Sequence, residues 1–144
     1  MMAQSIWLQN FIAVYTELST DNLVSLEKIY HPDIEFIDPM HQVFGLPALL
    51  RYFTGLYQQL LSCDFVIEHV LEGEREAAIY WTMTFRHKQL RGASPISVQG
   101  HSHLKAQDNK VIYHRDYLDV GEMLYEHIPL IGRIICAIKQ RAAK

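Results

Sequence analysis

From Asp64 to Val120 the side-chain character of the chain returns at every second position, and that alternation decides most of what the chain can fold into. Ala77 to Lys88 shows it most clearly. Ile79, Trp81, Met83, Phe85 and His87 fall on one face, and Tyr80, Thr82, Thr84 and Arg86 on the other. Asp64 to Glu72 alternates more loosely, with Phe65, Ile67, His69 and Leu71 against Val66, Glu68 and Val70. Ile96 to Ala106 and Val111 to Val120 supply two more such runs. A period of two is the mark of a strand with one face covered. The runs are joined by Gly73–Glu76, Arg91–Pro95 and Gln107–Lys110, which are hairpin-length turns. Strands joined this closely pair antiparallel.

Before Ser62 the period is helical. Trp7, Leu8, Phe11, Ile12, Val14, Tyr15 and Leu18 form one apolar stripe. Ser19-Thr20-Asp21-Asn22 ends that helix and offers N-caps for a short second one over Leu23 to Tyr30. His31-Pro32-Asp33 ends the second helix. A short strand, Ile34 to Ile37, exits at Asp38-Pro39, a dipeptide that disfavours helix and favours a turn. Pro47 then sits in the first turn of a third helix reaching Leu61, where its missing N–H costs nothing. Gly121 opens a helical tail to about Arg141, divided at Pro129. Helices and strands are segregated, so the expected class is α+β: a curved antiparallel sheet wrapped around the N-terminal helices, with a cone-shaped pocket between them.

The chain of 144 residues is expected to form one domain over residues 1–144, with 121–144 as its helical tail. Its 49% hydrophobic and 20% charged residues argue against disorder. A net charge of −3 gives no basic footprint for nucleic acid. Cys63 and Cys136 lie far apart without metal-ligand spacing, which reads as two reduced, buried thiols in a cytoplasmic protein. Met1 to Ser5 has no basic region leading into an apolar run, so no signal peptide is expected, and no apolar run reaches membrane-spanning length. No Gly-rich phosphate loop or nucleotide fingerprint appears, and no cofactor is expected.

The order of elements, with Tyr30-His31-Pro32-Asp33-Ile34-Glu35-Phe36-Ile37-Asp38-Pro39 ahead of Gly45 and a helix, resembles the nuclear-transport-factor-2-like (NTF2-like) superfamily. Its small bacterial members include ketosteroid isomerase and the SnoaL-like polyketide cyclases. The resemblance implies an NTF2-like (cystatin-like) cone and a homodimer through the outer face of the sheet. It implies a general base at Asp38, the position of the isomerase base. It implies another acid/base at Asp116, because His114-Arg115-Asp116-Tyr117-Leu118-Asp119 resembles the His-Trp-Asp-x-x-Asp pattern of SnoaL-like proteins. The isomerase's oxyanion-hole acid corresponds to His101 and its oxyanion-hole tyrosine to Val14, with Tyr15 adjacent, so steroid isomerisation itself is not expected.

His101 and His103 share one face of their strand, as do His114 and Asp116 of the next. If the isomerase-aligned positions face the cavity, Asp38, His101, His103, His114 and Asp116 meet there. Asp38 or Asp116 would then take a proton beside a carbonyl, and His101 or His103 would donate to the enolate. Trp81, Met83, Phe85, His114, Tyr57 and Tyr15 would hold a small apolar molecule. Plainer readings stand beside these. Asp38 can be a turn residue bonding loop N–H groups. Asp116 can pair with Arg115, His114 or Lys105. Asp116 with His101 and His103 also has the composition of a two-histidine, one-carboxylate metal triad, although the set of site residues is read without a metal. A pocket filled by Trp81, Phe85 and Tyr57 would mark a non-catalytic binding or dimerisation module instead.

The tail carries Leu124, Ile128, Ile131, Ile135 and Ile138 as a stripe, followed by Lys139, Arg141 and Lys144. A helix capping the cone mouth or packing in a dimer is the favoured reading. Membrane contact is not favoured, because the polar face has few cations before Arg133.

Overall fold

The computed structural model describes residues 3–143. Helix α1, Ile6–Glu17, turns Trp7, Leu8, Phe11 and Tyr15 inward, the positions the helical spacing selects. Residues Leu23–Lys28 form a 3₁₀ turn rather than an α-helix, because the chain is already strand at Tyr30. Strand β1 spans Tyr30–Ile37, four residues more than expected, and runs straight through His31-Pro32-Asp33. Its parallel pairing with β6 (Lys110–Leu118) lapses between Tyr30 and Glu35. Pro32, with no N–H to give, sits in that lapse, where no ladder bond is lost.

A three-residue strand β2, Gln42–Phe44, follows the Asp38 turn and had no signature in the sequence. Gly45, at φ 85°, leads into α2, Leu46–Gln58, with Pro47 in its first turn. Leu49, Phe53 and Tyr57, four residues apart, form its buried face. Strands β3 (Leu60–Gly73), β4 (Glu76–His87) and β5 (Ile96–Gln107) complete a six-stranded sheet in the order β2-β1-β6-β5-β4-β3, antiparallel except where β1 meets β6. Helices α1 and α2 pack against the sheet, and their aromatic residues meet those of its inner face to build the core. This is the expected α+β architecture, with the N-terminal helices packed on a mostly antiparallel sheet.

Two bulges decide which side chains face inward. In β3 the register slips between Ile67 and His69, so Ile67 lies opposite Trp81 and His69 already opposite Tyr80. An extra residue reverses the alternation beyond it. Phe65 and Ile67 face inward as expected, but His69 and Leu71 move to the outer face and Val70 packs on the core. In β6 the slip beside Lys105 and Ala106 leaves Val111, His114 and Asp116 inward and Tyr113, Arg115 and Tyr117 outward.

The tail breaks as Pro129 requires. A short helix α3, Val120–Met123, and a 3₁₀ turn, Tyr125–His127, precede α4, Ile131–Ala142. Helix α4 packs chiefly on that turn. At Gly132 an added Cβ would lie 2.3 Å from the Glu126 carbonyl oxygen, so only glycine permits the approach. Lys139 bonds both Asp119 and Glu126, which lowers the pKa of each carboxylate and raises that of the ammonium. No described helix is long and apolar enough to cross a membrane.

Candidate active site

Between the helices and the inner face of the sheet lies a cavity of about 310 Å³. Tyr15, Tyr57, Trp81, Met83 and Phe85 line it, as the sequence suggested. Trp81, Phe85 and Tyr57 thus wall the space rather than fill it. The indole of Trp81 lies over Gly100, its partner on β5, where a Cβ would meet the ring at 2.5 Å. Among the described lining residues there is no lysine or arginine. Met123, the last residue of α3, and Leu124 after it also line the cavity. The α4 stripe does not cap it, since Ile131, Ile134 and Ile138 stand exposed instead.

Asp116 lines the cavity from β6 and is the centre of its polar chemistry. Its Oδ1 accepts from Ser102 Oγ at 2.5 Å and bonds His114 Nε2 at 2.6 Å. Trp81 Nε1 donates to Ser102 Oγ at 2.9 Å, so the indole occupies an acceptor position on Ser102 and the serine proton is left for Asp116. On its other side, His114 Nδ1 bonds Tyr30 Oη at 2.7 Å, and Tyr30 Oη bonds Tyr15 Oη. Tyr30 is fully buried and His114 nearly so, behind the cavity wall rather than in it. Among the described residues, both hydrogen bonds to Asp116 end on Oδ1. Oδ2 has no hydrogen-bond partner among the described residues.

Burial is the main force on the nearby phenols and thiol. It raises Tyr15, with the Asp116 charge adding to the rise and the Tyr30 bond opposing it. It raises Tyr30, reinforced by Tyr15. It raises Tyr57, reinforced by Cys63, and pushes Cys63 itself up to about 11. These groups stay protonated at neutral pH, and Cys63 is no nucleophile.

Asp38 also lines the cavity, but its carboxylate serves the turn. Oδ1 accepts from the Met40 and His41 N–H groups at 2.8 and 2.7 Å, and Oδ2 accepts from Tyr52 Oη. Burial and this bond raise the Tyr52 pKa.

His101 and His103 do not face the cavity. They project from the outer face of β5, where His101 stacks between Tyr80 and Tyr117 and His103 lies 3.5 Å from Glu76. Ser102, between them, is the residue that points inward. The two histidines are therefore across the sheet from Asp116, and the three cannot share a metal. Arg115 and Lys105, two of the suggested partners of Asp116, lie over the outer rings of Tyr117 and Tyr113. His114 does not line the cavity; it bonds two residues of the site's hydrogen-bond chain, Asp116 and Tyr30. Ser102 and Tyr30 had not been singled out. The signal for Ser102 was present: Ile96, Val98 and Leu104 mark the even positions of β5 as the buried ones.

A family model described as a SnoaL-like domain matches residues 11–114, well over half of the chain. The chain belongs to the SnoaL-like domain family. The match ends at His114, two residues short of Asp116. No curated protein matches this SnoaL-like chain in sequence. Solved structures share its fold at low identity. An NTF2-like protein of unknown function from Burkholderia pseudomallei K96243 superposes with a TM-score of 0.74 at 11% identity, covering 84% of this chain and 96% of its own. A candidate SnoaL-like polyketide cyclase from Shewanella denitrificans OS-217 gives 0.70 at 21%, covering 83% and 95%. TerC, crystallised with polyporic acid, gives 0.70 at 13%, covering 81% and 93%.

Proposed function

We propose that this SnoaL-like protein is an enzyme of cofactor-free acid/base proton transfer on a small, apolar, uncharged carbonyl compound, with Asp116 Oδ2 as the base. The observation that carries the reading is the asymmetry of Asp116, a residue of the apolar cavity wall: Oδ1 is held from two sides, and Oδ2 has no partner among the described residues. A base held in this way needs no reorganisation before it takes a proton. A lining without lysine or arginine, with His87 as its imidazole, offers no permanently charged cation to a carboxylate or phosphate group on the substrate. The candidate polyketide cyclase among its structural relatives supports a carbonyl substrate. Asp38, tied to its turn and to Tyr52, is read as shaping the cavity mouth rather than as the base.

The test is hydrogen–deuterium exchange at the C1 position of 2-tetralone, an apolar ketone with acidic C–H bonds, followed in D₂O by NMR. The protein accelerates the exchange, and Asp116→Asn lowers that acceleration by about 10²-fold or more. Equal acceleration by the variant would remove Asp116 from the role of base.

A further inference from the structure

The hydrogen bonds behind the cavity wall form a path with both ends in the cavity. It begins at Asp116, passes through His114 and Tyr30, which are absent from the wall, and returns at Tyr15, which lines it. The hydroxyls and ring nitrogens on the path can donate or accept, and the Asp116 carboxylate accepts until it is protonated. The path leaves through one side of Asp116 while Ser102, fixed by Trp81, holds the same oxygen from another.

We propose that Asp116, His114, Tyr30 and Tyr15 form a closed proton circuit, in which the proton Asp116 removes from carbon is matched by one that Tyr15 gives to the carbonyl oxygen of the same substrate. The proposal rests on Asp116 being the base, as argued above. In the ready form His114 carries protons on both ring nitrogens against the Asp116 carboxylate. Nδ1–H donates to Tyr30 Oη, Tyr30 O–H donates to Tyr15 Oη, and the Tyr15 O–H faces the cavity.

The step then balances. The substrate C–H bond breaks, its proton goes to Oδ2, and its electron pair forms the C=C bond of the enol. The carbonyl oxygen takes the Tyr15 proton, Tyr15 takes that of Tyr30, and Tyr30 takes the Nδ1 proton of His114. The substrate passes from ketone to enol, and the His114–Asp116 pair from imidazolium–carboxylate to imidazole–carboxylic acid. No net proton is gained or lost and no co-reactant is required. Run backward with the Asp116 proton delivered to a different carbon, the circuit isomerises. Burial, which keeps Tyr15 and Tyr30 protonated, favours handing protons along together over forming a free phenolate. Tyr15 is the catalytic acid in this scheme, and Tyr30 and His114 are positioning residues that connect it to the base.

The experiment is ¹⁵N NMR of the His114 ring, in the free protein and with 2-naphthol as an enol mimic. In the wild type, 2-naphthol moves the Nδ1 resonance, because its oxygen engages Tyr15 and the change passes along the path. Tyr30→Phe cuts the path without altering the wall, so it still binds 2-naphthol while the Nδ1 response is lost. Tyr15→Phe loses the response as well, and carries the test alone if Tyr30→Phe does not fold. Binding without an Nδ1 response in the wild type, or a response that survives both variants, overturns the circuit. Failure of 2-naphthol to bind at all overturns the reading of the cavity itself, which separates the two claims.

Discussion

At the scale of single residues, the site depends on which face of a strand each side chain takes. His101 and His103 have the chemistry for an enolate donor, and the histidines flanking Ser102 draw attention to the wrong face. The apolar residues at Ile96, Val98 and Leu104 held the answer, because the buried face of a strand is set by its apolar positions. Asp38 shows the converse. Its place at a strand exit was legible, and so was its plainer role as a turn acceptor, which the bonds from Met40 and His41 fulfil. Tyr30 was not legible as part of the site, since its link to His114 spans 84 residues of sequence.

The buried phenols and thiol give a pH prediction. Tyr15, Tyr30 and Tyr57 rise above their ordinary 10.0, and Cys63 rises from 9.0 to about 11. Above these ordinary values the unfolded chain releases protons that the folded chain retains, so stability falls as pH rises. Their contribution is fully present below about pH 9 and declines above it, as the unfolded thiol and then the phenols ionise. Urea midpoints measured from pH 7 to 11 should show that decline. Midpoints that stay flat across the alkaline range would contradict the burial assigned to these groups.

At the scale of elements, the four long strands and the short one before them stand in the expected order, while a sixth strand, β2, and several edges and registers differ. A bulge adds one residue without changing composition, so the outward turn of His69 and Leu71 has no local signature. Strand β2 is too short to show a period, and β1 passes through Pro32 where its pairing with β6 lapses, resuming at Glu35. Gly100 ties two elements together, because it is the place on β5 where the Trp81 indole of β4 can lie flat. Gly100→Ala puts a methyl group into that ring and the Tyr117 carbonyl. The expected cost is about 1–3 kcal/mol in urea unfolding, with a shift in Trp81 fluorescence as the cavity wall moves. A variant matching the wild type in both readings would show that the close approach does not constrain the wall.

At the scale of the whole molecule, the helices and the curved sheet enclose an apolar space that the core does not fill. A cavity of this size forgoes packing between side chains, and here its wall includes a carboxylate held by two partners. The cone was expected from the order of helices and strands. The cavity's polar floor was not, because it is assembled from α1, β1, β4, β5 and β6 at once.

The most direct test of the account is a crystal structure of the protein with 2-tetralone. The ligand should lie inside the cavity with its C1 carbon roughly 3–3.5 Å from Asp116 Oδ2 and its carbonyl oxygen toward Tyr15. A ligand bound outside the cone, or bound within it with Oδ2 facing only ring carbons remote from the carbonyl, would contradict it.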